Sequence, residues 1–298
     1  MKRCKIRYIV AEEIKKSLGN SAFWISVVAA VCILFCVTLY NDSHGACISP
    51  AQIMFQFSGE EKMSDTQNSF WQVMYKVCSG YFIVFAPVLV GVAVIPMLCS
   101  ERECGVFRYA VVRTGKKKQA FGKLLASMLC GGLALLAGYV LFGMAAYVML
   151  PHGKDYPGIM LLDSCISQIP AVLRHSDVRL QYAVIMGQML FGVFCFGAAN
   201  ALWTYLVSVF VKNKYIAACI PYMFLNFISD ILAGHAMEEL RQYAAVNFIR
   251  QYVMPVRVLN IGQQGKQTIC MIAVYAVMCL LMFLLYCMVL ERRTDCGK

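Results

Sequence analysis

Residues 124–150 read LLASMLCGGLALLAGYVLFGMAAYVML, 27 positions without one charged side chain. At about 1.5 Å of rise per residue, a helix of that length exceeds the roughly 30 Å of hydrocarbon in a bilayer. Its apolar residues are not gathered into a stripe but run all round, so no face is fitted to water. The stretch reads as a transmembrane helix. Five more apolar stretches follow the same pattern, at residues 22–40, 77–99, 182–211, 215–233 and 268–290, and none of the six contains a Lys, Arg or Glu. Asp230, near the outer end of the fifth, is their single acidic residue.

Composition points the same way. Of 298 residues, 60% are hydrophobic and 14% charged, and the mean hydropathy is +0.64. A water-soluble enzyme, a DNA-binding module or a disordered tail cannot carry that balance. The expected fold is therefore all-α: a single polytopic transmembrane domain over residues 1–298, with six spans. The first apolar run begins only at residue 22 and has no small-residue cleavage site after it, so it reads as a retained span and not a signal peptide.

The net charge of +11 would suggest a nucleic-acid partner in a soluble protein. In a membrane chain it sets orientation first. The N-terminal arm, the loop at 101–123, the turn at 212–214 and the C-terminal tail hold 18 basic residues against 6 acidic, while the opposite side, Asp230 included, holds 9 against 10. The expectation is a multi-pass protein of the cell membrane, with both termini in the cytoplasm and no nucleic-acid partner.

Two cytoplasmic stretches carry more pattern than topology needs. Residues 2–20 combine six basic side chains with an apolar stripe at Ile6, Val10, Ile14 and Leu18. That arrangement predicts an interfacial helix whose apolar face meets membrane lipid while the basic residues meet anionic phosphates. The loop at 101–123 reads Glu101-Arg102-Glu103-Cys104-Gly105-Val106-Phe107-Arg108, then Arg113-Thr114-Gly115-Lys116-Lys117-Lys118, then Gly122-Lys123 ahead of Leu124-Leu125-Ala126. Gly105 breaks the preceding helix, residues 106–112 form a short apolar helix between Arg108 and Arg113, and Thr114-Gly115 turns the chain back. A short helix with an apolar and basic face, parked under a membrane, is a docking surface.

This order of residues resembles the loop between spans two and three of ABC-2 type transporter permeases, the membrane subunits of ATP-binding cassette exporters. The basic N-terminal helix is similar to the elbow helix of that family, and six spans with both ends inside match its organisation. The resemblance implies that the segment is a cytoplasmic coupling helix seated in a cleft of an ABC ATPase subunit. Glu101, Glu103, Gly105, Arg108, Arg113 and Lys123 stand at positions of the family pattern, and Val106, Phe107 and Val111 supply the apolar contact. It also implies a second permease subunit, identical or different, and an interfacial or re-entrant helix pair within the outer loop at 234–267.

Chemistry that is missing narrows the function further. No G-x-x-x-x-G-K-[ST] occurs, since every Gly-Lys pair lacks the upstream glycine, so the chain has no phosphate-cradling loop of its own. The 15 cysteines include no C-x-x-C pair, and Cys47 and Cys165, in outer loops, are read as free thiols. His235 with Glu238 and Glu239 lacks the second His of a zinc motif. Glu12 and Glu13 lie outside every span and read as a solvated or interfacial face. The expectation is no enzyme, no catalytic residue, no metal and no cofactor. A membrane anchor or regulatory subunit without transport is the alternative from another class. A six-span secondary transporter is the third reading, demoted because the spans lack mid-membrane charges to bind a coupling ion.

Overall fold

In a computed structural model, residues 6–41, 45–103, 114–151, 178–211, 213–233, 248, 252–259 and 265–295 are described. They form a helical bundle with one short strand pair. Each of the six apolar stretches is helical over most of its length. Taken alone, three helices are long and apolar enough to cross a membrane, or five if each of two bent helix pairs counts as one span.

The N-terminal helix α1 (Ile6–Leu18) meets α2 (Ser21–Cys36) at a 65° bend. Local hydrogen bonding fixes the corner. The Gly19 and Asn20 amides donate to the Lys15 and Ser17 carbonyls, and Asn20 Oδ1 accepts from the Ala22 amide as the N-cap of α2. The carbonyl of Leu18, left over where α1 ends, accepts from Trp24 Nε1 at 2.9 Å. Helix α2 stops at Cys36, short of the expected limit at residue 40. Val37, Thr38, Leu39 and Tyr40 are β-branched or bulky, and they run extended into β1 (Tyr40–Asn41), which pairs antiparallel with β2 (Cys47–Ile48).

Three short helices follow, α3 (Pro50–Phe55), α4 (Gly59–Ser64) and α5 (Phe70–Lys76), each opened by a serine N-cap at Ser49, Ser58 or Ser69. The second span was expected to begin at residue 77. Instead Gly80, with φ +50, interrupts the chain there, and α6 runs Tyr81–Glu103 at 65° to α5. Helix α5 is tucked into the bundle: Val73 and Met74 are buried, Tyr139 Oη donates to the Met74 carbonyl at 2.9 Å, and the Met74 side chain fills the space beside Gly143.

Helix α7 (Lys116–Met149) is the hub, packed against α1, α2, α6, α8 (Val178–Phe210) and α11 (Gly265–Asp295). It begins eight residues before the apolar run. Lys116 to Lys123 therefore belong to its first two turns and not to the loop, because a helix propagates through lysine readily even where hydropathy ends. Helix α9 (Lys214–Ala233) lies against α6 and α8, and α10 (Pro255–Val258) against α8. The outward side chains of α11, among them Ile269, Ile272, Val277, Leu280, Leu281 and Leu284, are exposed and apolar, as lipid contact requires.

Small residues set how close the helices come. Among lipid tails, apolar side chains gain little by meeting each other, so packing and close backbone approach decide association. The ladder Gly122, Ala126, Cys130, Ala134 and Gly138 is used as its spacing predicts: Gly122 faces Ile9 of α1, Gly138 faces Ala30 of α2, and the three between are wholly buried. Helices α7 and α8 cross closely. A Cβ on Gly197 would stand 2.5 Å from the Gly131 carbonyl oxygen, and one on Gly131 would stand 2.7 Å from Ala201 Cβ. Gly197→Ala should therefore lower stability by about 1–3 kcal/mol by forcing the backbones apart. Gly187→Ala, on the same helix but facing nothing within 4 Å, should be neutral or slightly stabilising. Thermal unfolding of both variants in one detergent checks the difference.

Candidate functional site: a buried ion pair under the N-terminal helix

Helix α1 presents three different sides. At 3.6 residues per turn, positions 9, 13 and 17 form one stripe, and Ile9, Glu13 and Ser17 are buried against the bundle. Val10 and Ile14 flank that stripe, half-buried and packed on the core, while Ile6 and Leu18 are exposed. The remaining side carries Tyr8, Glu12, Lys15 and Lys16, all exposed, with Glu12 and Lys16 paired at 3.2 Å one turn apart. A helix with a protein side, an apolar flank and a charged side is shaped to lie where bundle, lipid and water meet.

The helix differs from the sequence expectation at three residues: Val10 and Ile14, read as facing lipid, pack on the bundle core, and Glu13 is enclosed. Glu13 is not solvated. Its carboxylate is 3% exposed and faces the Lys123 ammonium, itself 1% exposed, with Nζ 4.0 Å from Oε1. Lys123 is carried there by the first turns of α7, and the contact is possible because Gly122 beside it has no side chain: its Cα region receives Ile9. The surroundings are polar yet closed. Ser17 and Cys130 lie next to the pair, and Gln119 and Ser127 are buried nearby along α7. Thr114 Oγ1 donates to Gln119 Oε1, and Ser127 Oγ donates to the Leu124 carbonyl. From α8, Tyr205 Oη donates to the Ala120 carbonyl at 3.0 Å, and the Tyr205 ring stacks on Tyr286 of α11 with centroids 4.6 Å apart.

Magnitudes decide what such a pair does. Two unit charges 4 Å apart attract by about 4 kcal/mol at an effective dielectric of 20. Removing each ion from water costs several kcal/mol, so the pair gains little net stability. Losing one partner is another matter, because the survivor stays buried. The pair therefore selects one seat for α1 on α7 more than it holds the fold together.

The other expected site residues are placed as follows. Residues 104–113, which include Gly105, Val106, Phe107, Arg108, Val111 and Arg113, lie outside the described residues. Glu101 and Glu103 stand in the last turn of α6, with their side chains outside the description. Cys47 is exposed and free, whereas Cys165 and the 235–239 segment lie outside the described residues. Of the re-entrant pair expected at 234–267, only 248, 252–259 and the start of α11 are described, including the single turn of α10. Among the described residues no group of three or more His, Cys, Asp or Glu is placed to hold a metal ion. Asn200 donates from Nδ2 to the Phe196 carbonyl of its own helix, while Asn226 reaches both Tyr222 and Val84 of α6.

The pair left signals in the sequence. Glu13 sits four residues from Ile9 and from Ser17, the two uncharged positions of its stripe, and Lys123 follows Gly122, the first residue of the small-residue ladder. Neither signal is a motif, and hydropathy alone assigns both residues to water. Compared with known proteins, the chain matches no family model, no curated protein and no solved structure.

Replacing Glu13 by Ala should destabilise the protein by about 3–5 kcal/mol, since Lys123 loses its carboxylate in a closed site. Replacing both at once, Glu13→Leu with Lys123→Met, should recover most of that loss. Unfolding midpoints of the single and double variants in the same detergent test the asymmetry, and equal losses in both would contradict it.

Proposed function

We propose that this chain is the membrane-spanning permease subunit of an ATP-driven exporter of the ABC-2 type. It forms half of a substrate pathway with a second permease subunit and couples to a separate ATPase. In this reading α2, α6, α7, α8, α9 and α11 are the six spans, both termini are cytoplasmic, and residues 101–113 reach the ATPase. The observation that carries the reading is the seating of α1. It packs on both α6 and α7, the two helices that flank residues 104–113, and it is tied to α7 through Glu13 and Lys123. The two patterned cytoplasmic stretches thus converge on one end of one helix, which suits a device that receives force there. The split of 18 basic residues against 9 supports the same side for both. These 298 residues hold no phosphate-cradling motif, which fits ATP hydrolysis being supplied from outside them.

A second reading is an ion-coupled secondary transporter, favoured by the same buried Glu13 and Lys123, because ionisable groups enclosed in a membrane protein are the usual seat of proton coupling. The two readings part at the loop. In the permease reading, Val106, Phe107 and Val111 each contribute roughly 1.5–3 kcal/mol of apolar burial before association costs, while Glu101, Glu103, Arg108 and Arg113 orient the contact. Phe107→Asp with Val111→Asp should leave insertion intact, since no span is touched, but abolish co-purification with an ATPase subunit and loss-free transport with it. Retention of both association and transport would reduce the loop to a topogenic spacer.

A further inference from the structure

Resting on the permease reading, we propose that Glu13 and Lys123 are positioning residues that make α1 and the first turns of α7 one rigid lever, so that a displacement of Lys116 to Lys123, the start of α7, is delivered to α2 as well as along α7. Sequence neighbours alone would carry such a displacement only along α7. The structure adds a second path through three joints in series. At the first, the closed Glu13–Lys123 contact and the seating of Ile9 on Gly122 prevent α1 from sliding along α7, because any shift strands a charge or drives the Ile9 side chain into backbone. At the second, the corner between α1 and α2 is stiffened by the Asn20 cap and by Trp24 Nε1 on the Leu18 carbonyl. At the third, α2 is gripped by the bundle, with Ser26 Oγ donating to the Leu89 carbonyl of α6 at 2.7 Å and Ala30 against Gly138 of α7. A packed body of this kind transmits a shift as a whole, since close-packed contacts do not deform gradually.

The test separates holding from chemistry. Cβ of Ile9 stands 3.1 Å from where a Cβ on Gly122 would be, a few tenths below the usual disulfide spacing. Ile9→Cys with Gly122→Cys can therefore lock α1 to α7 by oxidation. The complex is the full-length chain with the ATPase subunit that co-purifies with it, in proteoliposomes. The readouts are permease-stimulated ATP hydrolysis and hydrogen exchange in residues 6–18 and 21–36. Glu13→Gln should lower stimulated hydrolysis by about tenfold and speed exchange in α2 as well as α1. The charge reversal Glu13→Lys with Lys123→Glu should restore both. In the Glu13→Gln background the oxidised lock should restore hydrolysis, and a reductant should remove the rescue. A lock that forms without restoring hydrolysis overturns the proposal, since the pair would then act by its own chemistry, as in proton coupling. So does Glu13→Gln with unchanged hydrolysis. If the wild-type chain stimulates no ATPase, the permease reading falls independently, and exchange decides the lever: α2 unaffected by Glu13→Gln overturns it.

Discussion

Two opposite charges enclosed at one end of an apolar bundle are best placed against each other. Glu13 comes from the N-terminal helix and Lys123 from the second turn of α7, so satisfying them fixes where α1 sits, which of its sides meets lipid and where α2 enters the bundle. Apolar contacts alone would not do this, because among lipid tails one greasy seat for α1 is nearly as good as another. The pair adds little net energy and much selectivity, in the way that buried polar groups fix register in some helical assemblies.

The rest of the bundle is organised by absence of bulk. Helix α7 comes close to its neighbours where its contact positions are small: Gly122 for α1, Gly138 for α2, Gly131 and Gly132 for α8. Hydrogen bonds then mark where the helices stop, with Tyr205 of α8 on the Ala120 carbonyl near one end and Tyr139 on the Met74 carbonyl near the other. The short helices α3 to α5 and the strand pair close that second end, and the pair under α1 closes the first.

The six helices were legible in the sequence because hydropathy is a strong signal over 19 or more residues, and the ladder on α7 because small residues at four-residue steps share a face. Helix ends were less legible. Residues 37–40 continue the apolar run but turn extended on β-branched side chains, Gly80 splits a run that hydropathy joins, and Lys116 to Lys123 extend a helix past the point where charge seems to end it. The ion pair was invisible for the same reason: a Glu beside another Glu and a Lys five residues past a lysine triplet look solvated one by one. Only the helical stripe 9–13–17 and the neighbouring Gly122 show that one of each is covered.

The account stands on that contact, and nitrogen-15, carbon-13 solid-state magnetic resonance of the selectively labelled chain in lipid bilayers measures it directly. A dipolar contact between the Lys123 ammonium nitrogen and the Glu13 carboxyl carbon, with both groups protected from water exchange, is the predicted result. No contact between them, or a Glu13 carboxyl in free exchange with water, would contradict the seating of α1 and everything derived from it.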